Sequence, residues 1–281
     1  MSGKPDAPTS PIHPNPKQPT NPHLQIQPLT LLQKKSCTSS EVGASLNSIL
    51  SMSSINNLVQ AYSLRCREGR AAHFRKSFKI NASTVILDLG SEDGSHIHGV
   101  LGPADYNPSN VYIADIDPGA LERGERSYGF SSVLIHESKP LPFPDSFFDI
   151  VFCSSVIEHV TVPKDVIWSN MDGHDFRTRA MARQRLFAME IRRLGRQYYV
   201  QTPHRMFPVE SHSWLPFLSY LPRRLQVPLL RISNRFWVKK TSPDWNLLNA
   251  NDISSLFPDA RIAFEMSMCL RKSIIAIRAS A

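Results

Sequence analysis

The sequence predicts an α/β fold: a doubly wound, mostly parallel sheet with helices on both faces. Three observations predict it. Short apolar runs rich in β-branched residues recur from Thr84 to the end of the chain, helix-length segments separate them, and the first two runs stop at Asp88 and Asp115. Continuous apolar runs mean strands covered on both faces, as in a parallel sheet between two helix layers. Their alternation with helices gives the doubly wound arrangement.

The elements follow in chain order. Eight prolines fall before residue 30, with no apolar periodicity around them. Nothing there offsets the entropy of ordering, so residues 1–40 are expected to be a disordered, proline-rich tail. Residues 41–76 read as a helical lead-in of one or two helices, on the spacing of Leu46, Leu50 and Leu58, with Ser-rich turns between them. Arg65, Arg67, Arg70, Arg75 and Lys76 follow those leucines. The main domain is expected over 77–281. Its strands are expected at Val85–Leu87, Val111–Ala114, Ser132–Ile135, Ile150–Cys153, Tyr198–Val200 and Ser273–Ile277. A helix is expected over 178–194, where Ala180, Phe187, Ile191 and Leu194 share one face and Gly195 stops it. Between 203 and 250 the strand pattern lapses into prolines and aromatics, among them Trp214, Phe217, Tyr220, Phe236, Trp237 and Trp245. Such a stretch is too aromatic for a linker. It reads as an insertion packed over the sheet edge where a doubly wound fold binds ligands.

Composition bounds the function. Over 281 residues, 41% hydrophobic and 20% charged content supports a packed core in one or two domains. The cysteines Cys37, Cys66, Cys153 and Cys269 form no CxxC pair and no His/Cys cluster. That argues against a structural zinc site and a disulfide scaffold, and no metal is expected. No apolar run reaches a membrane span and no secretory h-region is present, which points to a soluble cytoplasmic protein. The net charge of +8 is unevenly spread: residues 177–240 carry 14 basic and 2 acidic residues, or +12, and residues 41–176 carry 10 and 17, or −7.

The chemistry concentrates at the strand ends. Asp88-Leu89-Gly90-Ser91-Glu92-Asp93-Gly94 joins the first strand to a helix. Glycines there let a ligand approach the backbone, and the helix start offers unpaired N–H groups. The pattern is not GxGxxG, so a nicotinamide-dependent oxidoreductase is disfavoured. Asp115 ends the second strand, where a carboxylate accepts hydrogen bonds from ribose hydroxyls. Asp117, directly before Pro118, suits an N-cap better.

Further on stand Glu137, Leu141-Pro142-Phe143-Pro144-Asp145, Phe148-Asp149-Ile150-Val151 and Ile157-Glu158-His159-Val160. In this order the series resembles the class I S-adenosylmethionine-dependent methyltransferases of the broad type 11 group, over about residues 75–281. Val200-Gln201-Thr202-Pro203 and Phe207-Pro208-Val209-Glu210-Ser211-His212 resemble a subgroup with an F-P-x-E-x-H segment. The resemblance implies a Rossmann-like, seven-stranded sheet with its last strand antiparallel, and S-adenosylmethionine as cofactor. It implies that Asp88, Gly90, Gly94 and Ser154 shape the methionine end, that Asp115 holds the ribose, and that Glu137 contacts the adenine amino group. Glu92 stands where the family has its middle glycine; a positive φ there costs a non-glycine residue about 1–2 kcal/mol.

The candidates for acceptor chemistry are His159, His204, Glu210 and His212. Glu210 and His212 are two apart, so an extended segment turns both to one side, where the carboxylate orients the imidazole as a base. The competing reading ties the insertion to the body by ordinary hydrogen bonds. Glu158-His159 reads as support for the sheet end. The acceptor is expected to be a small molecule or sugar, the aromatic insertion suiting a pocket lid. An RNA or other anionic-polymer acceptor is the alternative from the +12 stretch, and a non-catalytic binding module is the alternative from Glu92.

Overall fold

The computed structural model describes residues 46–136 and 139–280, with side chains from residue 61 onward. The proline-rich stretch 1–40 therefore lies outside the described residues.

Helix α1, Leu46–Ser77, runs without a break where Ser-rich turns were expected to interrupt it. Its C-terminal half carries Ala71 and Phe74 into the core, Phe78 follows just past its end, and Phe74 meets Phe152 and Tyr199 edge-on. Strand β1, Ile86–Leu89, is buried at every position. Then come α2 (Ser95–Leu101), β2 (Val111–Asp115), α3 (Pro118–Tyr128) and β3 (Ser131–Leu134). Asp117 caps α3 through the Gly119 N–H at 2.9 Å, with Pro118 at the first helical position. Strand β4 (Phe148–Ser154) precedes a single 3-10 turn at Ile157–His159. Helix α4 begins at Gly173, several residues before the apolar spacing becomes regular, because Asp172 caps it through the His174 and Asp175 N–H groups. It passes at Gly195 directly into β5, Gly195–Pro203.

The segment 203–250 holds a 3-10 turn at Leu218–Tyr220 and α5, Arg223–Ser233. Leu218, Leu230, Trp245 and Leu247 give it a small core of its own. The chain closes with α6 (Ala250–Leu256), β6 (Arg261–Ser267) and β7 (Leu270–Arg278). Strand β6 was absent from the sequence reading. Its residues are mostly half-buried, so it offers no continuous apolar run.

The seven strands form one sheet in the order β3-β2-β1-β4-β5-β7-β6. β1 to β5 are mutually parallel, and β7 runs antiparallel to both its neighbours. One face packs Phe74, Ile97, Leu101 and Leu121 of α1, α2 and α3 against Ile86, Ile113 and Phe152. The other packs Phe187, Ile191, Leu194 and Leu256 of α4 and α6 against Leu87, Val151 and Val200. The sheet is therefore doubly wound and Rossmann-like, as the alternation of runs predicts. Its order reverses between β1 and β4, and the crevice at their carboxyl ends is where such folds bind ligands. Among the described residues, no helix is long and apolar enough to cross a membrane.

Candidate functional site

Two groups of side chains sit at the carboxyl ends of β1, β4 and β5. The first surrounds a cavity of about 560 Å³, lined by Asp88, Gly90, Ser91, Ser154 and Ser155 and on its far side by α1 residues including Arg67 and Arg70. A volume of that order suits a cofactor-sized ligand. Gly90 has φ +78°, and a Cβ there would stand 2.5 Å from Val156 Cγ2. Gly94 has φ +74° and is the N-cap of α2. Both positions are thus closed to side chains by conformation and by space.

Asp88 is buried, at 3% exposure. Ser154 Oγ and Ser155 Oγ both donate to Gln201 Oε1, at 2.8 and 3.1 Å, which fixes the end of β4 against β5. Asp115 accepts the Ile116 and Asp117 N–H groups at Oδ1 and the Glu92 N–H at Oδ2. Glu92 itself is exposed, with φ +54°. The structure thus brings Asp88, Gly90 and Ser154 to one cavity and sets Asp115 at its rim through the Glu92 amide. Glu137 lies outside the described residues. The arginines of α1 escaped the sequence reading as site residues; their only signal was a basic run preceding the first strand.

The second group is buried among the end of β4, the end of β5 and the 203–250 segment. Glu158 has no exposed surface, Glu210 is 1% exposed and Asp244 is 7% exposed. His212 Nδ1 lies 2.6 Å from Glu210 Oε1. Glu210 Oε2 accepts both the N–H and the hydroxyl of Ser213. On its other side, His212 Nε2 faces Glu158 Oε1 at 3.8 Å, within ion-pair reach but beyond hydrogen-bond distance. Glu158 Oε2 accepts the Thr202 hydroxyl at 2.9 Å. His159 Nδ1 faces Asp244 Oδ1 at 3.4 Å. The His159 ring meets His212 edge-on at 4.6 Å between centroids, and Trp245 stacks on His212 at 5.0 Å.

Glu210 and His212 do come together, through a turn that also closes the Trp214 N–H on the Glu210 carbonyl. His204 serves elsewhere: its Nδ1 accepts the Met206 N–H at 3.0 Å. Glu158 and His159, read from sequence as support for the sheet end, join the cluster as well, and Glu158 also holds Thr202 near the end of β5. Glu158 is fully buried within the 3-10 turn Ile157–His159.

Burial alone would lower the His212 pKa, but Glu210 and Glu158 on two sides raise it above the ordinary imidazole value. Burial alone would raise Glu158, and the contacts with His212 and His159 hold it below the usual carboxylate range. The two groups of the site meet at β5, where Gln201 holds Ser154 and its neighbour Thr202 holds Glu158. Beneath them, burial pushes the Cys153 thiol well up, and the carboxylates of Glu158 and Asp88 push it further.

Residues 87–169 match the family model of a methyltransferase domain. No curated protein matches the chain. A SAM-dependent methyltransferase from Aquifex aeolicus is 11% identical, with a TM-score of 0.41, over 74% of this chain and 87% of that one. Magnesium protoporphyrin IX methyltransferase from Synechocystis PCC 6803, solved with bound SAH, is 12% identical, with a TM-score of 0.45, over 85% of this chain and 90% of that one. Residues 87–169 thus carry the sequence pattern of a methyltransferase domain, on a sheet whose order and Gly90–Gly94 turn leave a ligand crevice at the ends of β1 and β4.

Proposed function

We propose that this protein is a class I S-adenosylmethionine-dependent methyltransferase that methylates a hydroxyl of a small-molecule or sugar acceptor, held between the cofactor cavity and the Glu158–His159–His212 cluster. The observation that carries the reading is the closeness of the two groups: the adjacent β5 residues Gln201 and Thr202 bond Ser154 of the cavity at 2.8 Å and Glu158 of the cluster at 2.9 Å. A donor site and a buried polar cluster thus flank one strand end.

The residues of the cavity fit the cofactor. Asp88 is a buried carboxylate suited to the ammonium of the methionine part, and Arg67 across the cavity suits its carboxylate. Gly90 and Gly94 keep the turn open, Ser154 bounds the methionine end, Asp115 takes the ribose, and Glu137 takes the adenine amino group. When bound, S-adenosylmethionine supplies an electrophilic methyl group, so transfer requires an acceptor lone pair held about 3–3.5 Å from it and in line.

The chain supplies that alignment. Glu210 fixes Nδ1 of His212 and leaves Nε2 for the acceptor side. A base has to start neutral, and the flanking carboxylates favour the protonated imidazole. In the metal-free chain His212 therefore serves as a positioning residue that donates a hydrogen bond to the acceptor oxygen. The 203–250 segment covers this side with Trp245 stacked on His212.

The test is transfer of a labelled methyl group from S-adenosylmethionine into a cell extract, separated into small-molecule and polymer fractions. Label in the small-molecule fraction is the expected result. Label confined to RNA or another polymer would overturn the acceptor class and leave the methyltransferase intact.

A further inference from the structure

We infer that Glu158, His159 and His212 form a binding site for a divalent transition-metal cation. One ligand atom from each of the three lies within 4.8 Å of the others. Two ligands about 2.1 Å from one tetrahedral zinc ion stand about 3.4 Å apart, so small side-chain rotations close the site. Two histidines and one carboxylate are the ligand set of open catalytic zinc sites and of non-haem iron sites.

The surroundings point the same way. Glu158 Oε1 and His159 Nε2 are buried and have no hydrogen-bond partner. Buried acceptors left unmade are costly, so such atoms in a native fold call for an explanation. Each imidazole turns its Nδ1 to a carboxylate, His212 to Glu210 and His159 to Asp244. This leaves Nε2 of each for a ligand. Metal-bound histidines bind in that way, with the second nitrogen held by an outer carboxylate that fixes the ring and raises its basicity. Thr202 holds the other oxygen of Glu158, so that the carboxylate offers Oε1.

Charge gives a further, independent reason. Glu158, Glu210 and Asp244 are all nine-tenths or more buried within this one cluster. Arg223, one cation that acts on Asp244, is itself buried and spread over three backbone carbonyls, and Lys239 donates to the Ser211 carbonyl beside Glu210. A divalent cation balances the remainder. Buried negative charge in this number otherwise requires protons on the imidazoles.

The site's consequence rests on the acceptor reading above. With three protein ligands, the cation keeps an open position for the acceptor's hydroxyl oxygen. A metal-bound hydroxyl loses its proton near neutral pH, as metal-bound water does. The proton leaves to solvent and the oxygen keeps the lone pair that attacks. His212 then acts as a ligand, with no base needed.

The experiment uses the tag-free full chain stripped with chelator and titrated with Co²⁺. The expected result is one equivalent of a visible d–d absorption of an N/O site, displaced by Zn²⁺. Glu158→Gln and His159→Gln should each weaken Co²⁺ at least about tenfold, and the outer Glu210→Gln by about ten- to a hundredfold. Glu158→Gln keeps size and shape, and its circular dichroism and calorimetric S-adenosylmethionine affinity should match the parent. No d–d band in the parent chain would overturn the site, as would equal Co²⁺ affinity in the parent and in both ligand variants. Failure of the acceptor reading is separate, because the Co²⁺ spectrum needs neither cofactor nor acceptor.

Discussion

The backbone N–H of Glu92 donates to Asp115 Oδ2 at 2.8 Å, tying the turn after β1 to the tip of β2. Asp115 Oδ1 already accepts two further N–H groups, from Ile116 and Asp117. A carboxylate offers about four acceptor positions, so about one remains for a ribose hydroxyl. Asp115 is thus both a loop anchor and the proposed ribose ligand. Replacing it with Ala should weaken calorimetric cofactor affinity at least about tenfold, in line with hydrogen bonds to a charged group, and should lower the melting temperature. A folded Asp115→Ala chain with a lowered melting point and unchanged affinity would leave only the anchor.

Glu92 itself has φ +54° and an exposed side chain. The left-handed region costs a non-glycine residue about 1–2 kcal/mol, and glycine gives part of that back through a freer unfolded chain. Glu92→Gly should therefore stabilise the protein by roughly 0.5–1 kcal/mol, a rise of about 1–4 °C in melting temperature. The N–H that Asp115 accepts survives the change, so cofactor affinity should not fall. Scanning calorimetry and a cofactor titration check both outcomes.

Much of the fold is legible in the sequence because the central strands are buried on both faces. Ile86, Ile113, Ile150 and Val200 have no exposed surface, and their runs announce themselves. Strand β6 does not, because Ile262, Ala263 and Phe264 are only half-buried and charged residues flank them. The site divides on different grounds. Asp88, Gly90 and Asp115 are local to strand ends, where chain order alone places them. The pairing of Glu210 with His212 is also local, two residues apart. The approach of Glu158 and His159 to that pair spans about fifty residues, and that of Asp244 about thirty more. Only the packing of the 203–250 segment creates it. Arg67 and Arg70 reach the cavity for a similar reason, since α1 lies across the sheet and Arg70 is anchored on Glu265 at 3.0 Å.

Asp259 gathers three elements. It accepts the Tyr198 hydroxyl at 2.8 Å and pairs with Arg192 at 3.0 Å and Arg278 at 3.2 Å. Burial alone would raise its carboxyl. The Tyr198 bond and the two arginines bring it below the ordinary value of 3.8. The folded state thus favours the ionised form. Its contribution is whole above the ordinary carboxylate value and is lost as pH falls through the lower folded value. Asp259→Asn should cost roughly 0.5–1 kcal/mol near neutral pH, because the pairs are solvent-screened. The gap to the parent should narrow as pH falls below the ordinary carboxylate value. Thermal melts across pH 3 to 7 measure it, and a gap that widens in acid would contradict the assignment.

The proposed acceptor class can be tested through the basic half of the chain, several of whose charges are paired. Arg177 pairs with Asp252 at 2.8 Å, Arg192 with Asp259 at 3.0 Å and Arg196 with Asp149 at 2.9 Å. Arg193 meets both Glu190 and Asp145, and Arg179 faces Asp175. Except for Glu190, these acids lie outside 177–240, so part of the segment's +12 is met by acids from elsewhere in the chain. Arg223 is buried, its guanidinium 3.4 Å from the centre of the Phe176 ring and bonded to backbone carbonyls. Arg185, Arg224, Arg235 and Lys240 remain exposed. A polymer-binding face needs several phosphate contacts at once, and each single-strand contact adds about −0.7 to the slope of log affinity against log salt. Generic single-stranded RNA should therefore show no measurable binding by fluorescence anisotropy at physiological salt. Any low-salt binding should have a slope shallower than about −2, the equivalent of fewer than about three phosphates. A slope steeper than about −3, with binding that persists at physiological salt, would move the acceptor from a small molecule to a polymer.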